Sequence, residues 1–209
     1  MTIVFNHVVT SETQLREVIG SPSRRALRKQ VAQLDEFSRA FIARSPFLVL
    51  SSCDAEGNMD VSPKGDPPGF VRVLDDHTLA IPDRLGNRRA DTMKNLIQNP
   101  KVALLFLIPG KKETLRVSGT AQIVRDEWVR GPMAIGGKLP DHAIVVHVTE
   151  AFFHCTKCVI RSRLWDSQAW PSLAGLPSLA EALVAQGKLE ESLEQVQALL
   201  EEDARQRLY

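Results

Sequence analysis

The sequence is poor in several residue types, and each scarcity excludes a class of protein. Its 209 residues include one Tyr and three Cys, and a small, odd number of cysteines does not support a disulfide framework. The longest apolar run, 102–109, is far too short to cross a bilayer, and residues 1–10 lack the charged start and apolar centre of a signal peptide. A cytoplasmic protein without a membrane partner is therefore expected.

No excess of one charge is present either. Lys and Arg number 26 against 25 Asp and Glu, which leaves a net charge of +1 and argues against a nucleic-acid partner bound by overall charge. The sequence contains no P-loop, no GxGxxG and no GxSxG motif. A hydrophobic content of 44% over this length suits one ordinary domain with a real core.

The chain divides into three stretches: a helical extension over 1–45, a β-rich domain over 46–153 and a second helical extension over 154–209. In the first stretch, Ser11 and Gln14 form a capping pattern, and Ser21-Pro22 predicts the start of a second helix. Apolar residues at helical spacing extend that helix to residue 41. In the last stretch, Ser178 and Glu181 form a capping box. An amphipathic face follows it, made of Leu189, Leu193, Val196, Leu200 and Ala204.

The middle stretch alternates with the period of β-strands. Strands are predicted at 47–52, 58–62, 70–74, 78–81, 101–108, 113–124 and 143–149, with one helix at 89–97. Gly119 lies inside a strand, which indicates a bulge or the close approach of another backbone. Short strands joined by tight turns favour a mainly β fold with flanking helices, built on an antiparallel barrel of six to seven strands.

Three polar segments stand out as candidate ligand sites. In the first, Asn87 is a plausible N-cap, which would put Arg88 and Arg89 in the first helical turn. Cations there oppose the helix dipole by about 0.3–1 kcal/mol each, and a bound anion would reverse that effect. The alternative is an exposed arginine cluster paired with Asp83 and Asp91.

The other two segments offer donors at strand ends or on a polar strand face. Ser62, Lys64 and Gly65 lie where a strand ends in a flexible loop. Thr114 and Arg116 share one face of a later strand. Each segment alone is equally compatible with ordinary surface residues. Together, at one edge of a barrel, they would suit a phosphorylated cofactor that carries a ring.

The same segments carry a family resemblance. Residues 61–65, 81–84, 86–89, 95–106 and 114–119 resemble, in order and spacing, the pyridoxamine 5′-phosphate oxidase-like family. Residues 153–165 resemble one FMN-binding branch of it, distinct from the vitamin B6 enzyme itself. The resemblance implies an FMN-binding split β-barrel that forms a homodimer with two FMN sites at the subunit interface. It also implies an FMN-dependent oxidoreductase acting on a small molecule.

The resemblance assigns roles to individual residues. Ser62, Lys64 and Gly65 would lie near the isoalloxazine ring, and Asn87, Arg88 and Arg89 would hold the phosphate. Arg84 is a further candidate for holding the phosphate, and Thr114 and Arg116 are the remaining cofactor candidates. The candidates for substrate contact are Cys155, Lys157 and Arg163. The alternatives are a flavin-binding or sequestering protein without turnover, or the same barrel with haem or a deazaflavin.

Cys155 and Cys158 form a C-x-x-C motif near His147 and His154. These four side chains could be counted as a zinc set, but no second C-x-x-C is present and adjacent His154 and Cys155 fit poorly on one tetrahedron. No metal site is therefore predicted. Cys158 is expected to be a small buried residue.

Overall fold

The centre of the molecule is one sheet of seven antiparallel strands. The computed structural model describes residues 3–209. The strands are β1 (Phe47–Cys53), β2 (Met59–Gly65), β3 (Arg72–Val73), β4 (Thr78–Pro82), β5 (Lys101–Leu107), β6 (Thr114–Val124) and β7 (Ala143–His154). Their order across the sheet is β2-β1-β5-β6-β7-β4-β3. The predicted mainly β fold with six to seven antiparallel strands is confirmed.

The sheet curls without closing. Strand β2 forms one edge, β4 lies next to the other edge, and no backbone pairing joins these two strands among the described residues. Their ends nevertheless meet, because Arg84 just after β4 places its Nε 2.6 Å from Oδ2 of Asp66 just after β2. The result is a split barrel. Its open seam runs between β2 and β4 and is bridged at one end by the ion pair of Arg84 and Asp66.

The barrel interior is filled by alternate residues of the central strands, as the period of a β-strand requires. These residues are less than 2% exposed, and burying each side chain of this size contributes about 1.5–3 kcal/mol. The group comprises Leu48, Leu50, Leu79, Ile81, Leu104, Phe106, Leu115, Val117, Ile144 and Val146. The core thus holds the strands whose ends form the seam.

Gly119 marks a β-bulge, as its position in the sequence predicted. The register between β6 and β7 shifts between Ser118 and Gly119, and a Cβ on Gly119 would lie 2.0 Å from the carbonyl oxygen of His147. Only glycine tolerates that approach. The bulge also explains why β7 is longer than predicted: the extra residue at 149 breaks the alternation, and pairing then resumes as far as His154.

Helices precede the first strand, follow the last strand and connect strands at two points in between. They are α1 (Glu12–Ile19), α2 (Arg24–Arg28), α3 (Glu36–Ile42), α4 (Asp91–Gln98), α5 (Glu127–Arg130), α6 (Lys157–Ser162), α7 (Leu179–Gly187) and α8 (Leu193–Gln206). Short 3₁₀ turns cover Gly131–Met133 and Ser167–Ala169. Within residues 3–209, no helix has the length and apolar character that crossing a membrane requires.

The predicted single helix from residue 22 to 41 is wrong, because the chain forms α2 and α3 with a break between them. At the break, the N–H of Val31 donates to Ala151 (3.0 Å) and the N–H of Ala151 donates to Val31 (2.8 Å). This backbone pairing with β7 uses the groups that a continuous helix would need. The Asp35 side chain then caps α3.

The first C-terminal helix begins as predicted, the second begins at Leu193 although its apolar face is predicted from Leu189, and both bury little. The capping box of Ser178 and Glu181 is confirmed at the start of α7, and Ser192 forms a second one with Gln195 at the start of α8. Of the predicted apolar face of α8, Val196 is buried and most of the remaining positions stay accessible.

Candidate functional site

A cavity of about 1030 Å³ opens at the seam between the ends of β2 and β4. It is lined by residues 60–65, 82–93 and 138–142, together with Phe70, Ile144 and Tyr209. Seven of the nine predicted cofactor residues lie along it: Ser62, Lys64, Gly65, Arg84, Asn87, Arg88 and Arg89. The fold therefore brings two of the three candidate segments together.

The loop before α4 is built differently from the prediction. Asn87 is not the N-cap, because α4 begins at Asp91 with Ala90 at its N-cap and no side-chain capping bond. Instead, the Asn87 side chain accepts a hydrogen bond from the backbone N–H of Arg89 at 3.0 Å. Arg88 and Arg89 thus precede the helix, and their predicted placement in its first turn is wrong.

The loop before α4 has a strained backbone. Arg88 (φ 61°) and Ala90 (φ 56°) both have left-handed backbone conformations, which cost non-glycine residues about 1–2 kcal/mol each. Such strain concentrates where side chains or backbone groups serve a ligand. The strained turn presents the arginines beside an uncapped helix N-terminus, an arrangement suited to an anion.

The two arginines of this loop differ in their pairing. Arg88 has no ion pair with any residue that the structure describes. Arg89 Nε lies 2.7 Å from Asp91 Oδ2, and its side chain is 71% exposed, so the pair contributes little to stability. The alternative prediction is an arginine cluster paired with Asp83 and Asp91. The pair with Asp91 is present, and Asp83 forms no ion pair with a residue that the structure describes.

Arg84, in contrast, is fully engaged within the chain. Besides its 2.6 Å ion pair with Asp66, whose side chain is 1% exposed, its Nη2 donates to the carbonyl of Met133 at 2.8 Å. Its guanidinium carbon also lies over the ring of Tyr209, 5.5 Å from the centroid. This cation holds together the loops around the cavity.

Asp83 adds a carboxyl group without a hydrogen-bonded side-chain partner among residues 3–209. Its backbone N–H donates to the carbonyl of His142 at 3.0 Å, and it lines the cavity together with Lys64 and His142. Burial raises the pKa of Asp83 above its usual value, and the charges of Lys64 and His142 oppose that rise. The cavity therefore contains an acid that holds its proton more tightly than an exposed aspartate.

Thr114 and Arg116 lie away from this cavity. Thr114 is buried opposite His154 in the sheet, whereas Arg116 is exposed with its guanidinium carbon 5.5 Å from the Phe152 ring centroid. Lys29 Nζ lies 4.9 Å from the centroid of that same ring. Burial, with the charges of Lys29 and Arg116, lowers the pKa of His154. We call this surface of Lys29, Arg116, Phe152 and His154 the cationic face.

The candidates for substrate contact also lie outside the cavity lining. Lys157 and Cys155 are exposed beside the start of α6, and Arg163 pairs with Asp166 at 2.6 Å. Cys158 is exposed as well, so its expected burial is wrong. Among residues 3–209, no three His, Cys, Asp or Glu side chains are grouped so that they could hold a metal ion.

Comparison with known proteins assigns the family. The sequence model of pyridoxamine 5′-phosphate oxidase matches residues 34–155, a span that holds all seven strands and the predicted cofactor segments. The chain belongs to the pyridoxamine 5′-phosphate oxidase family. No curated protein sequence matches it significantly.

Several solved structures of similar fold accompany this family match. HupZ of Group A Streptococcus is 21% identical and aligns over 57% of this chain and 92% of its own, with a TM-score of 0.44. A candidate pyridoxamine 5′-phosphate oxidase of Lactobacillus delbrueckii is 23% identical over 58% and 95%, with a TM-score of 0.47. HutZ, the haem storage protein of Vibrio cholerae, is 17% identical over 57% and 94%, with a TM-score of 0.38.

Sequence reasoning missed several residues that this oxidase-family barrel places at the cavity. Asp83 is predicted only as a possible partner for arginine. Asp66 does not line the cavity itself but binds the lining residues Arg84 and Tyr209. Lys138, His142 and Tyr209 lie far from the motifs in sequence and reach the cavity only through the fold. No local sequence feature distinguishes Asp66 from other loop aspartates, because its burial exists only in the folded barrel.

Proposed function

We propose that the protein is a cytoplasmic, homodimeric, FMN-dependent oxidoreductase that acts on a small molecule. The observation that carries this proposal is the meeting of two segments, 62–65 and 84–89, at one cavity in the seam of the barrel. In this proposal, residues 46–153 form the cofactor domain, and the helical stretches 1–45 and 154–209 are extensions of it. When bound, FMN supplies the redox chemistry by accepting or giving a hydride at its N5.

The donor set of the cavity suits a phosphate monoester. Arg88, Arg89 and the uncapped N-terminus of α4 lie on one strained turn. A charge-assisted hydrogen bond to phosphate contributes about 1.5–3 kcal/mol, and micromolar binding needs about 8 kcal/mol. Two arginines and backbone N–H groups supply most of that free energy. Asn87 holds the turn through its bond to the backbone of Arg89.

The other end of the cavity suits a polar ring. Ser62 lies midway along β2, Lys64 and Gly65 are its last two residues, and all three line the cavity. A hydroxyl and an ammonium group there would donate to the carbonyl and nitrogen atoms of an isoalloxazine. At about 1030 Å³, the cavity is as large as the sites that hold whole cofactors. The residues present therefore fit FMN.

Arg84 has a supporting part in this proposal. Its charge is already matched by Asp66, so it positions the cavity loops and contributes little direct binding to a second anion. The phosphate is assigned to Arg88 and Arg89.

A second copy of the chain would complete the site. The cationic face and the exposed side chains of Cys155, Lys157 and Arg163 lie outside the cavity of their own chain. In a homodimer with sites at the interface, the exposed Arg116 of one copy would lie at the cavity of the other, with the buried Thr114 two residues before it on the same strand. Lys157, Arg163 and Cys155 would then face the substrate side of the ring.

The visible spectrum of the purified protein, with the mass of the molecule it releases, tests the proposal. The expected result is a yellow protein that releases FMN, is bleached by NAD(P)H or another reductant, and recovers its colour in air. A flavin spectrum that no reductant in a broad panel bleaches would favour storage or sequestration over turnover. A haem or deazaflavin spectrum would contradict FMN as the cofactor.

A further inference from the structure

The chain contains one tyrosine, and that residue lies at the cavity. We propose that Tyr209 forms the wall of the ligand site against which the ligand's planar ring lies, with Asp66 and Lys138 positioning it. This inference rests on the proposed function, because it takes the ligand to be a phosphorylated planar ring such as FMN.

Specific contacts hold Tyr209 in place. Its phenol O–H donates to Oδ1 of Asp66 at 2.9 Å, and its main-chain oxygen accepts from Nζ of Lys138 at 2.8 Å. The neighbouring Leu208 is 62% exposed, so general burial of this segment does not explain the position. The three residues after α8 therefore turn toward the cavity because of polar contacts made by Tyr209.

The anchor of Tyr209 is itself fixed. Asp66 is almost fully buried and is paired with Arg84, so its second oxygen points at the phenol from a rigid position. The hydrogen bond to Asp66 raises the pKa of Tyr209 above its usual value, as expected for a phenol that donates to a carboxylate. Arg84 lies over one face of the ring, which leaves the opposite face or the edge for a ligand.

The cavity has few other surfaces for an aromatic ring. Phe70 is the other phenylalanine or tyrosine in the lining, and it is only 8% exposed because it belongs to the barrel core. Tyr209 is half-buried and lies far from the cofactor motifs in sequence. Planar ligand rings bind tightly where an aromatic side chain offers an offset or edge contact.

A single tyrosine makes the test direct. Protein labelled with fluorotyrosine gives one fluorine NMR resonance, and that resonance reports Tyr209 alone. During titration with FMN, the resonance is expected to shift and to saturate together with the change in flavin absorbance. Saturating flavin absorbance with an unmoved resonance would overturn the inference and leave the FMN proposal standing. No FMN binding by the unlabelled protein would instead reject the FMN proposal, and this inference with it.

Binding by three variants gives an independent readout. Tyr209→Ala should weaken FMN binding about tenfold, whereas Tyr209→Phe, which keeps the ring, should lose no more than about threefold. Leu208→Ala is the matched control and should bind as the wild type does. If Tyr209→Ala bound FMN as tightly as the wild type, or more tightly, Tyr209 would be a bystander or a plug that the ligand displaces, and the inference would be wrong.

Discussion

The turn that follows β4 holds arginines in two opposite situations. Arg84 is matched by a buried carboxylate, a carbonyl and an aromatic ring. Four residues later, Arg88 has no ion pair among the described residues and has a left-handed backbone conformation, and Arg89 has only a surface pair. One cation serves the fold, and the other two are available to a ligand.

Within this one short segment, Arg84 is therefore expected to affect the stability of the fold, and Arg88 and Arg89 the binding of a ligand. A cation paired with a buried carboxylate is costly to remove, because that carboxylate then remains as an unpaired charge. An exposed cation in a strained turn costs little to remove, because nothing in the fold depends on it. Stability and ligand affinity should therefore respond to different arginines.

Replacing Arg84 should have the largest effect. Arg84→Met leaves the buried carboxylate of Asp66 without its cation and should lower the free energy of unfolding by about 3 kcal/mol, as measured by urea denaturation. Adding Asp66→Asn removes the unpaired charge and should recover more than half of the loss. If the Arg84→Met variant were as stable as the wild type, the claim that Arg84 stabilises the fold would be wrong.

The exposed arginines should affect binding without affecting the fold. Arg88→Ala with Arg89→Ala should weaken FMN binding about 100-fold, because two charge-assisted contacts are lost, while the free energy of unfolding changes by less than about 0.5 kcal/mol. Arg116→Ala should weaken binding about tenfold.

Mixing these two variants tests whether each site takes residues from two copies. After subunit exchange, about half of the dimers are mixed, and in each of them one site carries both defects and the other carries none. About a quarter of all sites should then bind FMN with wild-type affinity, as counted by calorimetric titration. If mixing restored no tight sites, the assignment of Arg116 to the partner's cavity would be wrong.

Asp83 and Asp66 provide a similar contrast between two carboxyl groups, and replacing Asp83 should have the smallest effect on stability. Unlike Asp66, it is partly buried without a hydrogen-bonded cation, and its pKa is raised in the folded state. The folded protein therefore binds the proton more tightly than the unfolded chain, so this residue's contribution to stability falls as pH rises through the raised pKa. At neutral pH, Asp83→Asn should be more stable than the wild type by no more than about 1 kcal/mol.

Asp75 provides a control of opposite sign for that pH profile. Backbone and side-chain hydrogen bonds from His77 and Thr78 lower its pKa, so its contribution is lost as pH falls through the lowered value. Unfolding measured across the acidic range should show Asp83→Asn and Asp75→Asn diverging from the wild type in opposite directions. Parallel pH profiles for the two variants would contradict the assignment of Asp83.

The strands and the bulge could be predicted because both depend on local pattern. Alternation of apolar residues predicts the strands, and Gly119 inside a strand predicts the bulge. Both features follow from the period of a strand and do not require knowledge of which distant segments meet. The expectation that segments 62–65 and 84–89 serve one ligand comes instead from the family resemblance.

The remaining features could not be predicted because competing contacts decide them. Asn87 suits an N-cap, but its side chain bonds the Arg89 N–H, and the helix starts four residues later. Val31 suits a helix, but it pairs with Ala151, which is 120 positions away in sequence. The contact between Tyr209 and Asp66 likewise exists only once the barrel has folded.

The central claim is that Arg88 and Arg89 bind the phosphate of FMN. Its most direct test compares the dissociation constants of FMN and riboflavin, which differ only in that phosphate, for the wild type and for the variant with both arginines replaced by alanine. The wild type should prefer FMN by about 100-fold, and the variant should bind both flavins with nearly equal, weak affinity. An undiminished preference for FMN in the variant would contradict the claim.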